Sequence, residues 1–83
     1  MPKSIEKEIV EIVSKLTKLP KEKCALDAHF KKDLNIDSFV VLEMVFAVEN
    51  KFKITLPEDE LNNVFTLKDF IDLTEKVMEK SNA

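Results

Sequence analysis

The sequence predicts an all-α fold, a four-helix bundle with three longer helices, one short third helix and a long loop between the first two. Two observations carry this prediction. Apolar residues recur at the three- and four-residue spacing of amphipathic helices in three separate segments. The extended alternation at Ile54 and Leu56 has no second strand to pair with, so we interpret it as a loop.

Length and composition indicate one small folded domain. Of the 83 residues, 45% are hydrophobic and 35% are charged. We expect a single domain over 1–83, with an ordered core over about 4–79, and we expect it to be a monomer. A chain of this length buries only about 60% of its unfolded surface, so its core is small.

The first helix is predicted to begin at Ser4, whose hydroxyl can cap it, and to end before Pro20. The loop from Pro20 to Ile36 has no helical period. Within it, Lys31 and Lys32 are interpreted as a solvated pair, with a small basic contact point as the alternative. The apolar stripe of the helix consists of Ile5, Ile9, Ile12, Val13 and Leu16. The residues expected to pin the loop to the helices are Leu26, Phe30, Leu34 and Ile36.

The second helix, from about Ser38 to Lys51, is predicted to carry two apolar faces. Phe39 and Phe46 lie two turns apart on its polar side, near Glu43. This excess of apolar surface indicates a partner-docking patch, although the loop could instead fold over Phe39 and hide it. The core-facing positions are Val41, Val45, Val48 and Phe52, flanked by Leu42 and Met44.

Two further helices complete the predicted bundle. The short third helix opens at Pro57 with acidic residues in its first turn. Val64 and Phe65 are expected to close the core after it. Thr66 then caps the last helix, and Asp69, three residues later, nearly completes a capping box. The buried face of the last helix is formed by Phe70, Ile71, Leu73, Thr74 and Val77.

Composition disfavours several classes of function. The net charge of −3 argues against a nucleic-acid partner, which would need clustered Lys and Arg. The single cysteine, Cys24, allows no internal disulfide and is interpreted as a small buried hydrophobic residue. No leader pattern is visible and no apolar run reaches about 18 residues, so we expect a cytoplasmic protein without a membrane span.

The sequence offers no pattern for an enzyme active site. It contains no glycine, so no glycine-rich loop can hold the phosphates of a nucleotide. His29 is the only histidine, and we interpret it as a surface loop residue because nothing marks it as a base for Ser38. No residues have the spacing of a metal site. We therefore expect no catalytic residues and no metal ligands.

The segment over residues 33–39, which reads DLNIDSF, contains the candidate functional residue. Asp37 or Ser38 can cap the second helix, because either side-chain oxygen can accept a bond from a first-turn N–H. On that interpretation the segment is a helix cap and nothing more. The alternative is that Ser38 Oγ is an attachment point for a phosphate-linked group, since a helix N-terminus favours negative charge.

The segment resembles the acyl carrier protein family, which has an Asp-Leu-Gly-x-Asp-Ser-Leu run at the start of its second helix. The departures are Asn35 in place of Gly and Phe39 in place of Leu. Asn tolerates a left-handed backbone, so Asn35 can replace the glycine at a cost of about 1 kcal/mol. The resemblance extends from Ile5 to about Val77. Its other matching positions are Leu42, Glu43, Met44, Ala47, Val48, Glu49, Phe52, Ile54 and Pro57.

This resemblance implies a covalent 4′-phosphopantetheine arm on Ser38, derived from coenzyme A and ending in a thiol that carries acyl thioesters. Asp37 would help to present the serine to the modifying enzyme and its metal. The implied partners are a phosphopantetheinyl transferase (holo-carrier synthase) and acyl-transferring and condensing enzymes. The docking face on the second helix would comprise Phe39, Val40, Glu43, Phe46 and Glu49. An acyl cavity between the helices would be lined by Val41, Leu42, Val45 and Ile71.

Several functions remain open at the level of sequence. Non-acidic residues at Val40, Asn50 and Lys51, where the family often has acids, hint at a specialised carrier with dedicated enzymes. The cargo could be an acyl group of fatty acid, polyketide or related specialised biosynthesis, or an aminoacyl or peptidyl group. A different class is an unmodified helical interaction module that binds through Phe39 and Phe46 and needs no free Ser38 hydroxyl.

Overall fold

A computed structural model describes the backbone of residues 2–81 and the side chains of residues 5–80. The predicted all-α bundle of three longer helices and one short helix is confirmed. An isolated backbone bridge between His29 and Thr66 joins the long loop to the start of the last helix. The helices are α1 over Pro2–Thr17, α2 over Ser38–Phe52, α3 over Glu58–Leu61 and α4 over Leu67–Ser81, with a 3-10 turn over Lys21–Lys23.

Helix α1 packs against α2 and α4. It begins at Pro2, so the predicted start at Ser4 is wrong, and the Ser4 side chain lies outside the described residues. Proline suits this position because the first helical N–H has no intrahelical acceptor in any case. Ile9 and Val13 are fully buried as predicted, whereas Leu16 lies at the edge of the stripe and is exposed.

The core is completed by α4 and by a face of α2 that differs slightly from the predicted one. Met44, predicted to flank the core, is fully buried, while Leu42 on the opposite flank is 48% exposed. The predicted buried face of α4 is confirmed except for Val77, which is half-buried at its edge. The buried Thr74 hydroxyl on this face donates a bond to the carbonyl of Phe70 at 2.9 Å. The side chains with no exposed surface are Ile9, Val13, Met44, Val48, Leu67, Phe70 and Thr74.

The long loop is pinned by its apolar residues. Phe30, Leu34 and Ile36 are buried, as predicted, but Leu26 is exposed. The loop also buries Cys24, as expected, and this burial raises the pKa of the thiol. The loop is therefore an ordered part of the core rather than a mobile connection.

Phe65 does not close the core, so that prediction is wrong. Its side chain is 53% exposed, and its ring stacks on that of His29 with the centroids 6.1 Å apart. The predicted capping box that follows is confirmed. The Thr66 hydroxyl accepts a bond from the Asp69 N–H at 3.1 Å, and the Asp69 carboxylate accepts bonds from the N–H groups of Thr66 and Phe65.

Three residues adopt a left-handed backbone with positive φ: Lys18, Asn35 and Lys53. The expectation for Asn35 is confirmed by its φ of 54°. Lys53 was not expected there, because its type has no special tolerance of this region. Lys53 ends α2, and its N–H and that of Ile54 both donate to the carbonyl of Glu49. The helix end therefore imposes a conformation that the side chain disfavours.

We expect Lys53→Gly to stabilise the protein. A non-glycine residue in the left-handed region costs about 1 kcal/mol or more, and relief of about 1 kcal/mol raises the melting temperature of a domain this size by about 4–8 °C. Thermal unfolding followed by circular dichroism measures the shift. The matched control is Lys7→Gly in the middle of α1, which should lower the melting temperature because the backbone there is helical. A lower melting temperature for Lys53→Gly would contradict the prediction.

Candidate functional site

Asp37, rather than Ser38, caps α2. Its backbone is extended, with φ −88° and ψ 176°, and its Oδ1 accepts a hydrogen bond from the Val40 N–H at 3.0 Å. Ser38 is the first residue of the helix and is exposed. The cap is thus supplied by the neighbouring carboxylate and not by the Ser38 hydroxyl.

The segment before Ser38 is held rigidly against the core. Leu34 and Ile36 are buried, and the Ile36 N–H donates to the carbonyl of Phe30 at 2.8 Å. Asn35 lies between them on the exposed side, in its left-handed conformation. Ser38 is therefore presented to solvent from a fixed support, two residues after a buried anchor.

The start of α2 also favours negative charge. The first N–H groups of a helix have no intrahelical acceptor, and the helix dipole places partial positive charge at this end. Asp37 satisfies the N–H of Val40, whereas the N–H groups of Ser38 and Phe39 find no acceptor among the described residues. A phosphate-linked group on Ser38 Oγ would lie beside these donors, so the site fits such a group chemically.

A groove with a volume of about 490 Å³ is lined by Ser38 together with other residues of α2, residues of α3 and the loops beside them. The apolar part of its wall consists of Phe30, Val41, Leu42, Val45, Leu61, Val64 and Phe65. Three of the four residues expected to line an acyl cavity therefore border the groove. The fourth, Ile71, is buried in the core and is not part of this wall, because it lies on the α4 face that packs inward.

The outer face of α2 presents three large exposed apolar side chains, which we name the α2 stripe: Phe39, Leu42 and Phe46. Phe39 is 69% exposed and Phe46 is 59% exposed, so the long loop does not cover Phe39. Glu43 is exposed on the same helix. Exposed residues at this three- and four-residue spacing form one continuous surface that could contact a partner.

The other two residues expected on a docking face make contacts inside the protein. Val40 is half-buried and packs against the core. Glu49 is half-buried, and its carboxylate accepts a bond from the Leu56 N–H at 2.8 Å. Glu49 therefore helps to fix the segment that follows α2, whatever it contributes to docking.

His29 lies closer to the site than the sequence suggested, because it lines the same groove as Ser38. The ring Nδ1 of His29 accepts bonds from the backbone N–H groups of Lys31 and Lys32, each at 3.2 Å. The backbone N–H of His29 donates to Asp33 Oδ2 at 2.8 Å. The imidazole thus organises the loop. Within the described residues it makes no hydrogen bond to Ser38, and no cluster of three potential metal ligands is present.

The part of the chain that the structure describes contains no helix of the length and apolarity that crossing a membrane would require.

Comparisons with known proteins find similar sequences over most of the chain. The family described as a phosphopantetheine attachment site matches residues 7–74. The chain is 40% identical over 72 residues to an acyl carrier protein of Beutenbergia cavernae, covering 82% of this chain and 88% of that protein. It is 36% identical over 64 residues to one from Kocuria rhizophila, covering 77% and 79%. It is 30% identical over 80 residues to one from Cyanidium caldarium, covering 95% and 93%.

Proposed function

The chain belongs to the acyl carrier protein family and carries acyl groups on a 4′-phosphopantetheine arm, and from that premise we propose that Ser38 is the residue that bears the arm. The observation that carries this proposal is the division of roles at the start of α2. Asp37 caps the helix, while the Ser38 hydroxyl is exposed beside first-turn N–H groups. A phosphodiester at this position would be stabilised by the partial positive charge and the free N–H groups of the helix N-terminus, and the Asp37 cap would stay in place.

The direct test is addition of the arm from coenzyme A by a phosphopantetheinyl transferase. The intact mass should rise by one arm, and peptide fragmentation should place it on Ser38. An unchanged mass with several transferases would favour the unmodified interaction module instead. Intact-mass analysis of protein from its native host would reveal the arm together with its cargo.

The proposed role is delivery rather than catalysis. A tethered thioester is presented to each enzyme at a high effective concentration, so the chain needs no catalytic residue of its own. The proposed partners are the transferase and acyl-transferring and condensing enzymes. The α2 stripe with Glu43 supplies both an apolar and an acidic contact for them, since acidic side chains beside an apolar centre suit basic rims on partner surfaces. The cytoplasmic location and monomeric state stay predictions.

The groove supports an apolar cargo. Val41, Leu42 and Val45 form part of its wall beside Ser38, at the place where the arm would begin. Leu42 belongs to both the groove wall and the α2 stripe. We infer that the cargo is a fatty-acyl or polyketide chain rather than an aminoacyl or peptidyl group, because the wall is mainly aliphatic and aromatic. A partner that displaces Leu42 would also disturb the cargo.

We expect an octanoyl group on the arm to stabilise the protein relative to an acetyl group. Each methylene that enters the groove contributes up to about 0.8 kcal/mol, so a partly buried chain should raise the melting temperature by several degrees. Differential scanning calorimetry of the two loaded forms measures the difference.

The control for this prediction pairs two conservative substitutions. Val41→Thr places a hydroxyl in the groove wall and should reduce the octanoyl-dependent rise. Val10→Thr, on half-buried α1 surface away from the groove, should lower both melting temperatures equally and leave their difference unchanged. Equal melting temperatures for the octanoyl and acetyl forms of the unsubstituted protein would mean that the chain stays outside the groove.

A further inference from the structure

Lys31 shares the lining of two cavities with Ser38. One is the mainly apolar groove, and the other is a cavity of about 400 Å³ formed with Asn35, Ile36 and Asp37. Its neighbour Lys32 is also exposed but lines neither cavity. The two lysines that look equivalent in the sequence are therefore placed differently relative to the serine.

The backbone holds Lys31 in this place. The Lys31 N–H donates to His29 Nδ1 at 3.2 Å, and the adjoining Phe30 is buried. The carbonyl of Phe30 accepts the bond from the Ile36 N–H, which ties the residue before Lys31 to the residue two before Ser38. The backbone at Lys31 and the backbone at Ser38 are thus connected through the buried hydrogen bond between Phe30 and Ile36.

The charges around Ser38 favour a cation at this position. The Asp37 carboxylate lies immediately before the serine, and a phosphodiester on Ser38 would add a second negative charge beside it. Lys31 takes part in none of the ion pairs that the described side chains form. Its ammonium group is therefore available to a phosphate, and the attraction would be stronger at low salt because the site is exposed.

We propose that Lys31 forms an ion pair with the phosphodiester of the arm and thereby directs the arm into the groove. This proposal rests on Ser38 as the attachment residue. The anchor of the arm would then be held on the side of Ser38 where Val41 and Val45 form the wall. Lys31 acts here as a positioning residue. It forms no covalent bond, and its effect falls on where the arm rests rather than on whether it is attached.

The experiment compares the octanoyl-loaded forms of the unsubstituted protein, Lys31→Gln and Lys32→Gln, prepared with coenzyme A derivatives and a transferase. Intact mass establishes that each protein carries one arm, and circular dichroism establishes that each is folded. Two readouts follow the arm itself. These are the ³¹P chemical shift of the phosphodiester and the rate at which hydroxylamine cleaves the thioester.

At low salt, Lys31→Gln should shift the ³¹P resonance and speed cleavage about two- to fivefold, the range expected for loss of an exposed ion pair. Lys32→Gln should match the unsubstituted protein, and high salt should remove the difference. The proposal is overturned if both variants behave like the unsubstituted protein, or if both change equally. Failure of the unsubstituted protein to gain an arm would instead overturn the assignment of Ser38, a result that intact mass distinguishes.

Discussion

Ser38→Ala is expected to abolish addition of the phosphopantetheine arm completely. The substitution removes the only oxygen at this position that can form the ester bond to phosphorus. It should hardly change stability, because Asp37 rather than Ser38 caps α2 and the Ser38 side chain is exposed. Incubation with coenzyme A and a transferase, followed by intact-mass measurement, gives the result directly, and thermal unfolding shows that the protein remains folded.

Two control variants separate loss of the Ser38 hydroxyl from loss of another serine hydroxyl and from loss of the helix cap. Ser14→Ala removes a hydroxyl of α1 that donates to the carbonyl of Leu19 and lines neither cavity at Ser38, so it should leave arm addition unchanged. Asp37→Ala keeps the serine but removes the cap, so it should cost about 1 kcal/mol of stability. If Ser38→Ala still gained one arm, the attachment residue would lie elsewhere in the chain and the proposed site would be wrong.

Phe46→Ala is expected to weaken docking about tenfold while leaving the fold nearly unchanged. A large aromatic residue at the centre of an interface commonly contributes more than 1 kcal/mol to binding. Phe46 is 59% exposed, so its removal leaves little cavity in the free protein. The transferase serves as the partner, and the KM for the carrier in the arm-addition assay reports the loss.

Two other apolar residues act as controls. Phe70 is fully buried, and its replacement by alanine should cost about 3–5 kcal/mol, enough to unfold much of a small domain. Leu26 is exposed but lies outside α2 and lines neither cavity at Ser38, so Leu26→Ala should leave the KM near that of the unsubstituted protein. A fall in melting temperature for Phe46→Ala like that for Phe70→Ala would place Phe46 in the core. An unchanged KM would show that the α2 stripe does not dock this partner.

The sequence alone determined the helices, the capping box at Thr66 and Asp69, the left-handed Asn35 and the family motif around Ser38. These features depend on residues within a few positions of one another, since helical periodicity, caps and turn preferences are local properties. Local spacing was also enough to separate Phe39 and Phe46 from the core-facing positions of α2. The candidate site could be found for the same reason, because its motif is continuous in sequence.

Only the tertiary structure decided which apolar residues are covered and what surrounds the serine. Periodicity assigns residues to a face, but the width of the buried arc depends on neighbouring elements, so Leu16, Leu26 and Phe65 were expected inside and are exposed. The same limit applies to the groove, where residues distant in sequence meet beside Ser38. The placement of Lys31 and His29 in the same groove wall as Ser38 follows from the path of the long loop, because hydrogen bonds between distant backbone groups fix that path.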